Sequence, residues 1–207
     1  MHDSVLTIPY AKHEPASVDA GFAYINCRNN WPGNDTPAEA SFHAWYDETY
    51  LHVAFACRNV PLRATNFDNQ SAVSADTCCE IFIRPLPDGP YWNLEFNTTG
   101  AVNASHRVTR PDKTPLTDAE IATIRRTYSP KADEPVDEPD YNHSIRMTVD
   151  IPWSLLGIVP VSGLSFGANV YACAGGATPP YFLSWAPIAS EKVNFHLPEF
   201  FGTFILE

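Results

Sequence analysis

Basic residues are scarce in this sequence, with 13 Lys and Arg against 24 Asp and Glu and a formal net charge of −11 at pH 7. A surface of that sign repels phosphate backbones, so we expect no nucleic-acid partner. No stretch reaches the roughly 18 consecutive apolar residues of a membrane-spanning helix. The first residues also lack the basic start and apolar run of a signal peptide. We therefore expect no membrane partner, and either a cytoplasmic protein or a chain whose signal peptide has been removed.

Metal-site and redox motifs are missing as well. The seven histidines form no His-x-His or His-Glu-x-x-His pair, so a catalytic zinc site has no support. No cysteine stands in a recognisable Cys/His arrangement, and no Gly-rich phosphate loop is present. The cysteines are odd in number and form no Cys-x-x-Cys pair, which favours buried reduced thiols over disulfides; they are Cys27, Cys57, Cys78, Cys79 and Cys173.

Long helical periods are absent, whereas 19 prolines accompany only ten glycines. This composition is typical of many short strands joined by irregular loops. A hydrophobic content of 44% is sufficient for a packed core, and 207 residues suit one all-β domain. We predict a single domain over residues 1–207 that forms a two-sheet antiparallel β-sandwich, of the immunoglobulin or jelly-roll kind, with long loops and a short helix.

Alternating apolar residues locate the main strands. Residues 42–57 predict a hairpin, and residues 79–83, 92–97, 101–107, 145–151, 166–173, 181–185 and 202–206 predict further strands. In residues 92–97 the residues that alternate with the apolar ones are all polar: Asn93, Glu95 and Asn97. That strand is therefore a candidate floor for a polar ligand.

The segment 110–140 differs from the rest because it combines prolines, acidic residues and only a short possible helix near 118–125. We predict a long surface excursion, either a functional lid or an insertion.

Carboxylates and aromatic rings supply two kinds of candidate site residue. Glycoside hydrolysis needs a pair of acids on opposite sides of a sugar, and Asp76, Glu80 and Glu95 lie on strands that could be neighbours. Without such a pair, Glu80 could still accept hydrogen bonds from sugar hydroxyls, and the planar guanidinium of Arg107 could hold two adjacent hydroxyls. The alternatives are a solvated Glu95, a loop-capping Asp76 and a surface ion pair for Arg107.

A flat aromatic ring offers an apolar platform to the C–H face of a sugar. Trp185 stands at a strand end between Ser184 and Ala186 and is the best candidate platform. Trp31 lies in a loop, where it could form a rim contact or a plug. We expect the remaining tryptophans to pack in the interior: Trp45, Trp92 and Trp153.

Taken in order, five segments of this chain resemble carbohydrate-binding module family 9. They are WYDETYLHVAF (45–55), DTCCEIFI (76–83), YWNLEFN (91–97), VDIPW (149–153) and PEFFG (198–202), and together they span most of the sequence. The resemblance implies two packed antiparallel sheets and non-catalytic binding of mono- or oligosaccharides. It also implies ligand contacts by Glu80, Arg107 and Trp185, which we supplement with Asn97 and Trp31.

One departure from the family pattern concerns Ser74, six residues before Glu80, where the sugar-binding members carry a second tryptophan. Its absence predicts weaker binding or replacement by another ring such as Trp31. The resemblance implies no required cofactor, although structural calcium is possible near the acidic residues 133–140. Two alternatives therefore stay open beside sugar binding: a glycoside-processing enzyme that uses paired carboxylates, and an interaction module that has kept the fold and lost the ligand.

Overall fold

A computed structural model of the chain describes residues 4–15, 21–25 and 31–207, and Cys27 lies outside these ranges. Within them the strands are β1 (Val5–Ile8), β2 (Phe22–Ile25), β3 (Glu39–Tyr46), β4 (Tyr50–Ala64), β5 (Cys78–Arg84), β6 (Tyr91–Asn97), β7 (Val102–Arg107), β8 (Lys113–Pro115), β9 (Arg125–Ser129), β10 (Val136–Pro152), β11 (Ser165–Ala174), β12 (Tyr181–Ser184) and β13 (Gly202–Leu206). The helices are α1 (Asp118–Ile121) and α2 (Trp153–Leu156), with 3-10 turns at Val73–Ala75 and Pro198–Phe200. No helix in the described ranges has both the length and the apolar character needed to cross a membrane.

These strands form two sheets. The larger sheet has the order β1-β13-β11-β5-β6-β7-β8, with β12 also paired to β11, and the smaller sheet has the order β2-β3-β4-β10-β9. The pairs at the centre of both sheets are antiparallel, whereas β1 runs parallel to β13. The predicted two-sheet β-sandwich is confirmed.

The main hydrophobic core lies between the two sheets. Because side chains alternate along a strand, every second residue of the central strands points into this space. The smaller sheet contributes Leu51, Val53 and Phe55 of β4, and the larger sheet contributes Ile81 of β5 and Leu94 of β6, all at most 2% exposed. Each such buried side chain stabilises the fold by about 1.5–3 kcal/mol. The predicted alternation in these strands agrees with the structure.

The tryptophans divide between the core and the outer faces. Trp153 lies in the core, as expected. Trp92 is partly buried and packs against the core. Trp45 is buried as expected, but on the outer face of the smaller sheet instead of between the two sheets. There it stacks on His52, with 5.0 Å between ring centroids. The reason is the alternation of β3, which directs Ala44 and Tyr46 inward instead.

Residues 110–140 connect the two sheets and are largely structured. β8 extends one edge of the larger sheet and β9 extends one edge of the smaller sheet. Between them, α1 begins with a capping box in which Thr117 and Glu120 satisfy each other's backbone N–H groups. The short helix lies within the predicted range 118–125 and most of the segment is exposed, but the edge strands β8 and β9 were not predicted.

The outer face of the larger sheet carries a second hydrophobic cluster. Its buried members include Trp31, Phe82, Tyr171 and Phe195. The chain from residue 188 to residue 201 runs across this face and contributes Ile188, Phe195, Leu197, Phe200 and Phe201 to the cluster. This covering segment encloses polar residues of the central strands and so helps to form a cavity on this face.

Candidate functional site

A cavity of about 300 Å³ lies on the outer face of the larger sheet. Glu80 and Glu95 lie on its floor. Its walls come from the 3-10 turn before β5, the end of β11, β12 and the covering segment. The lining side chains combine carboxylates, cationic or polar groups and aromatic rings: Glu80, Glu95, Arg110, Phe182, Phe195 and His196.

The two glutamates meet because β5 and β6 pair in register. Glu80 lies directly opposite Glu95, and both share the outer face with the polar residues Asn93 and Asn97. Their relative exposures are 2% and 4%. Sequence alternation predicted this polar face, and the structure shows that the covering segment has buried it.

Glu80 has few strong hydrogen-bond donors around its carboxylate. The thiol of Cys173 lies 3.2 Å from its Oε1 and the thiol of Cys78 lies 3.9 Å from the same atom. Burial raises the pKa of Glu80 well above its usual range, and the nearby Cys173 and Glu95 raise it further. A protonated Glu80 can both donate and accept hydrogen bonds.

Glu95 has better partners. Asn93 Nδ2 donates to Oε1 at 3.0 Å and Asn103 Nδ2 donates to Oε2 at 2.9 Å. Burial raises the pKa of Glu95, while the hydrogen bond from Asn103, the charge of Arg107 and a hydrogen bond with Ser74 lower it. The cavity floor therefore holds two adjacent acids in different environments, of which Glu95 is the better stabilised as an anion.

The aromatic wall is built around Phe195. Its ring stacks on Tyr171 with 4.2 Å between centroids and 11° between planes, and its carbonyl oxygen accepts a hydrogen bond from Tyr171 Oη at 3.2 Å. Phe182 lies beside it, at 6.2 Å between centroids. Both rings line the cavity. A ring fixed in this way can present a preorganised apolar surface to a ligand.

His196 occupies the same wall, with Nδ1 3.0 Å from Tyr91 Oη. Burial lowers the pKa of His196 from 6.5 to about 3, and the positive charges of Arg107, Arg110 and Lys113 add to the effect. The imidazole is therefore neutral at physiological pH and offers both a donor and an acceptor.

Arg107 lies next to the cavity, outside its lining residues. Its Nε donates to Asn93 Oδ1 and its Nη1 donates to the carbonyl oxygen of Arg110. It thus orients Asn93, which donates to Glu95, and holds the segment that carries Arg110. The arginine that lines the cavity is the exposed Arg110, which sequence reasoning passed over.

Asn97 belongs to a structural network around Asp76. Its Nδ2 donates to Asp76 Oδ2 at 2.8 Å, and its Oδ1 accepts from Thr99 and from the Ala101 N–H. Asp76 also accepts hydrogen bonds from Thr65 and Asn66. Both Asp76 and Asn97 are 0% exposed. This network joins the end of β4 to β5 and β6, and it does not line the cavity.

Trp31 is 3% exposed and lies behind the aromatic wall, 5.8 Å from Phe195 between ring centroids. Its Nε1 donates to Ser190 Oγ at 2.9 Å. Asn34 fixes the same loop to β12 by hydrogen bonds with the backbone of Phe182. Of the two roles that the sequence left open for Trp31, the structure therefore favours the plug.

Trp185 points to the opposite side of the larger sheet from Glu80. Its backbone N–H bonds to the carbonyl of Val170, a core residue, while the Glu80 face continues through Tyr171 to Ser184. The indole packs against Phe204 at 5.4 Å and Phe42 at 5.9 Å between centroids. The expected convergence of Trp185 with Glu80 is therefore wrong in geometry, because strand alternation places residues 184 and 185 on different faces.

A second cavity, of about 510 Å³, is mainly apolar and includes Leu86, Leu155 and Val159. It also contains Trp92 and His106, whose ring centroids lie 4.5 Å apart. Few groups here could satisfy several hydroxyls, so it suits a polar ligand less well than the cavity around Glu80.

One short motif bears on nucleophilic catalysis. Residues 163–167 have the spacing Gly-x-Ser-x-Gly, but Ser165 begins β11 instead of occupying the strand-to-helix turn that a nucleophile elbow requires.

In the acidic segment 133–140, the carboxylates have cationic or histidine partners. Asp133 lies 2.7 Å from Lys131, Glu138 lies 3.1 Å from His143, and Asp137 pairs with Arg63. Structural calcium stays a prediction from the resemblance.

The architecture and the cavity together define a β-sandwich with a polar, aromatic-walled pocket on one sheet, which is the general form of a small-ligand binding domain. The sequence matches Carbohydrate-binding family 9 over residues 16–206, and the chain belongs to that family. No curated protein matches the chain.

Solved structures support the fold. An inferred carbohydrate-binding protein from Bacteroides uniformis is 24% identical, with a TM-score of 0.88, and the match covers 99% of this chain and 100% of that one. A family 9 module from Caldicellulosiruptor kristjanssonii in complex with cellotriose is 14% identical, with a TM-score of 0.60 and coverage of 99% and 94%. The glucose complex from the same organism is 15% identical, with a TM-score of 0.60 and coverage of 99% and 96%.

Proposed function

We propose that this protein binds a carbohydrate without transforming it, in the cavity above Glu80 and Glu95. The single observation that carries the proposal is the joining of a fixed aromatic ring, Phe195, and buried acids in one concavity. The ring offers an apolar surface to the sugar C–H groups, and the acids and Arg110 accept from and donate to its hydroxyls. Family membership and the glucose and cellotriose complexes of the C. kristjanssonii modules support this assignment.

The size of the cavity favours a short ligand. A volume of about 300 Å³ lies at the lower end of the range for small-molecule pockets. We therefore propose that the site takes a single sugar residue, either a monosaccharide or the end of a chain. Ser74 lines the cavity. The family resemblance implies a tryptophan at this position in sugar-binding members, so the serine leaves space on that side and removes one stacking surface. We expect modest affinity for this reason.

A hydrolase reading has less support from this geometry. Glycosidases place two carboxyl groups on either side of the bond that they cleave. Glu80 and Glu95 instead lie side by side on one sheet face, opposite each other on adjacent strands. Asp76, the third candidate acid, is occupied by hydrogen bonds from Thr65, Asn66 and Asn97. The arrangement favours binding over bond cleavage.

Calorimetric titration with mono- and oligosaccharides, in buffer that contains a chelator, tests the proposal. Glucose, cellobiose and cellotriose belong in the panel with sugars of other configurations. Arg110→Ala should weaken binding of the best ligand by at least about tenfold, because a charged hydrogen bond contributes about 1.5–3 kcal/mol. Arg146→Ala is the matched control, since Arg146 is an exposed arginine on β10 of the other sheet.

Phe195→Leu tests the stacking contribution while keeping an apolar side chain in the wall. We expect weaker binding than in the wild type, whereas Tyr24→Ala, which removes an exposed ring from β2, should leave binding unchanged. Absence of heat with every sugar would favour the interaction module that has lost its ligand. Release of reducing ends from an oligosaccharide would instead support the alternative that the protein is a glycoside hydrolase.

A further inference from the structure

The floor of the cavity contains a group of metal-ligating side chains that the sugar site does not explain. Cys78 of β5 lies directly opposite Cys173 of β11, and Glu80 follows on the same face of β5. The two Sγ atoms and one carboxylate oxygen all lie within 4.8 Å of one another, and all three residues are buried. Among the described residues, this is the only cluster of at least three His, Cys, Asp or Glu side chains with such spacing.

We propose that Cys78, Glu80 and Cys173 bind a thiophilic divalent cation of the zinc class, with one coordination position directed toward the cavity. The proposal does not depend on sugar binding, although the two sites share Glu80. It also differs from the calcium that the family resemblance implies, both in place and in ligand chemistry.

The distances between ligand atoms suit such an ion. Tetrahedral zinc with Zn–S near 2.3 Å and Zn–O of about 2.0–2.2 Å requires a sulfur–oxygen separation of about 3.5 Å. The separations from Glu80 Oε1 are 3.2 Å to Cys173 Sγ and 3.9 Å to Cys78 Sγ. Each differs from the ideal by only a few tenths of an ångström, so small side-chain rotations would bring the ligands into place.

Ligand type decides between metals. Two thiolates and one carboxylate select zinc or a similar ion over calcium and magnesium, which prefer sites made of oxygen alone. Zinc would bind here as the thiolate and carboxylate complex, releasing the protons of its ligands to solvent, and its two positive charges would offset the negative charge of the ligands in this buried site.

Access to the site comes through the cavity. Glu80 and Cys173 line it, whereas Cys78 is 0% exposed and lies behind them. Three protein ligands leave the fourth position of a tetrahedron for water or for an oxygen of a bound molecule. Sequence inspection could not find this site, because its cysteines lie on separate strands and lack Cys-x-x-Cys spacing.

Metal titration tests the proposal directly. Untagged, chelator-treated protein is kept reduced and is titrated with zinc chloride against a chromophoric chelator. We expect one equivalent of zinc per chain, with affinity at least about tenfold lower in Cys78→Ser and in Cys173→Ser. Cobalt chloride should give the charge-transfer absorption of cobalt bound to thiolate, and this band should be lost in both variants. Cys79→Ser is the matched control, because Cys79 points to the other face, 3.7 Å from Cys57.

Several outcomes would overturn the site. They are equal zinc affinity in wild type and both cysteine variants, no thiolate absorption with cobalt, or a Cys78–Cys173 disulfide in the purified native protein by mass spectrometry. If either serine variant does not fold, Glu80→Gln keeps the test open, since it removes one charged ligand without changing side-chain size. Zinc binding without sugar heat would contradict only the proposed function, and sugar heat without zinc binding would contradict only the metal site.

Discussion

Glu80 and Glu95 lie directly opposite each other on β5 and β6, and both carboxyl groups are almost inaccessible to solvent. Two neighbouring buried acids ionise together only at considerable cost, so one of them tends to keep its proton. Glu95 has two asparagine donors, whereas the donors to Glu80 among the described residues are the weak thiols of Cys78 and Cys173. The proton therefore belongs mainly on Glu80.

Glu80→Gln should stabilise the metal-free protein at neutral and alkaline pH. The folded-state pKa of Glu80 is raised, so the folded chain holds a proton there that the unfolded chain has lost. The stability of the wild type must therefore fall as pH rises above the ordinary glutamate pKa, and Gln removes that dependence. Urea unfolding of chelator-treated protein across this pH range measures the difference. If the variant is less stable than the wild type at every pH, the assignment of the proton is incorrect.

Trp185→Ala should reduce stability without affecting sugar affinity. The partly buried indole packs against Phe42 and Phe204 in the core, so its loss creates a cavity at a cost of about 3 kcal/mol. Denaturant unfolding gives the stability change, and calorimetry at a temperature where the variant is folded gives the affinity. Loss of sugar binding by a fully folded variant would show that Trp185 contributes to the ligand site.

Asp76→Asn should be strongly destabilising and otherwise functionally silent. The carboxylate accepts hydrogen bonds from the N–H groups of Thr65 and Asn66, the Thr65 hydroxyl and the side-chain amides of Asn66 and Asn97. An amide would turn one acceptor into a donor and oppose these donors, which should cost about 3 kcal/mol or more. Thermal and urea unfolding measure the cost. A variant as stable as the wild type would show that the network around Asp76 contributes little.

His196 should make the protein less stable in acid. Its pKa is about 3 in the folded protein, against an ordinary value of 6.5, so between these values the unfolded chain takes up a proton that the folded chain does not. Protonation of this histidine leaves the free energy of unfolding unchanged above pH 6.5 and lowers it progressively as the pH falls toward 3. From neutral pH to about pH 4.5 the decline should reach about 2–3 kcal/mol, since one pKa unit corresponds to about 1.4 kcal/mol.

The comparison that isolates this effect is His196→Asn, measured by urea unfolding at both pH values. The difference in stability between wild type and variant should shrink in acid. His13→Asn, which removes an exposed histidine, is the matched control. An identical acid dependence in wild type and His196→Asn would exclude the proposed role of this histidine.

Strand alternation made the sandwich predictable from the sequence. Leu51, Val53 and Phe55 share one face of a strand because the side-chain period is two, and the same rule separated Glu80 from Ile81. The resemblance supplied the family, and with it the importance of Glu80. These inferences depend on local sequence pattern and on segment order, both of which can be read directly from the chain.

The composition of the cavity could not be read in this way. Phe195, His196 and Arg110 line the cavity only because the covering segment and the loop after β7 fold over the sheet. Local pattern does not specify how such segments cross a sheet face. Trp185 was misassigned because its position at a strand end does not show which face of the sheet its indole points to. The pairing of β12 with β11 determines this direction.

A crystal structure with the sugar that gives the largest heat in calorimetry tests the central claim most directly. We predict density for one sugar residue above Glu80 and Glu95, with its apolar face against Phe195 and a hydroxyl within hydrogen-bond distance of Arg110. Density against Trp185, or in the apolar cavity beside Trp92 and His106, would contradict it.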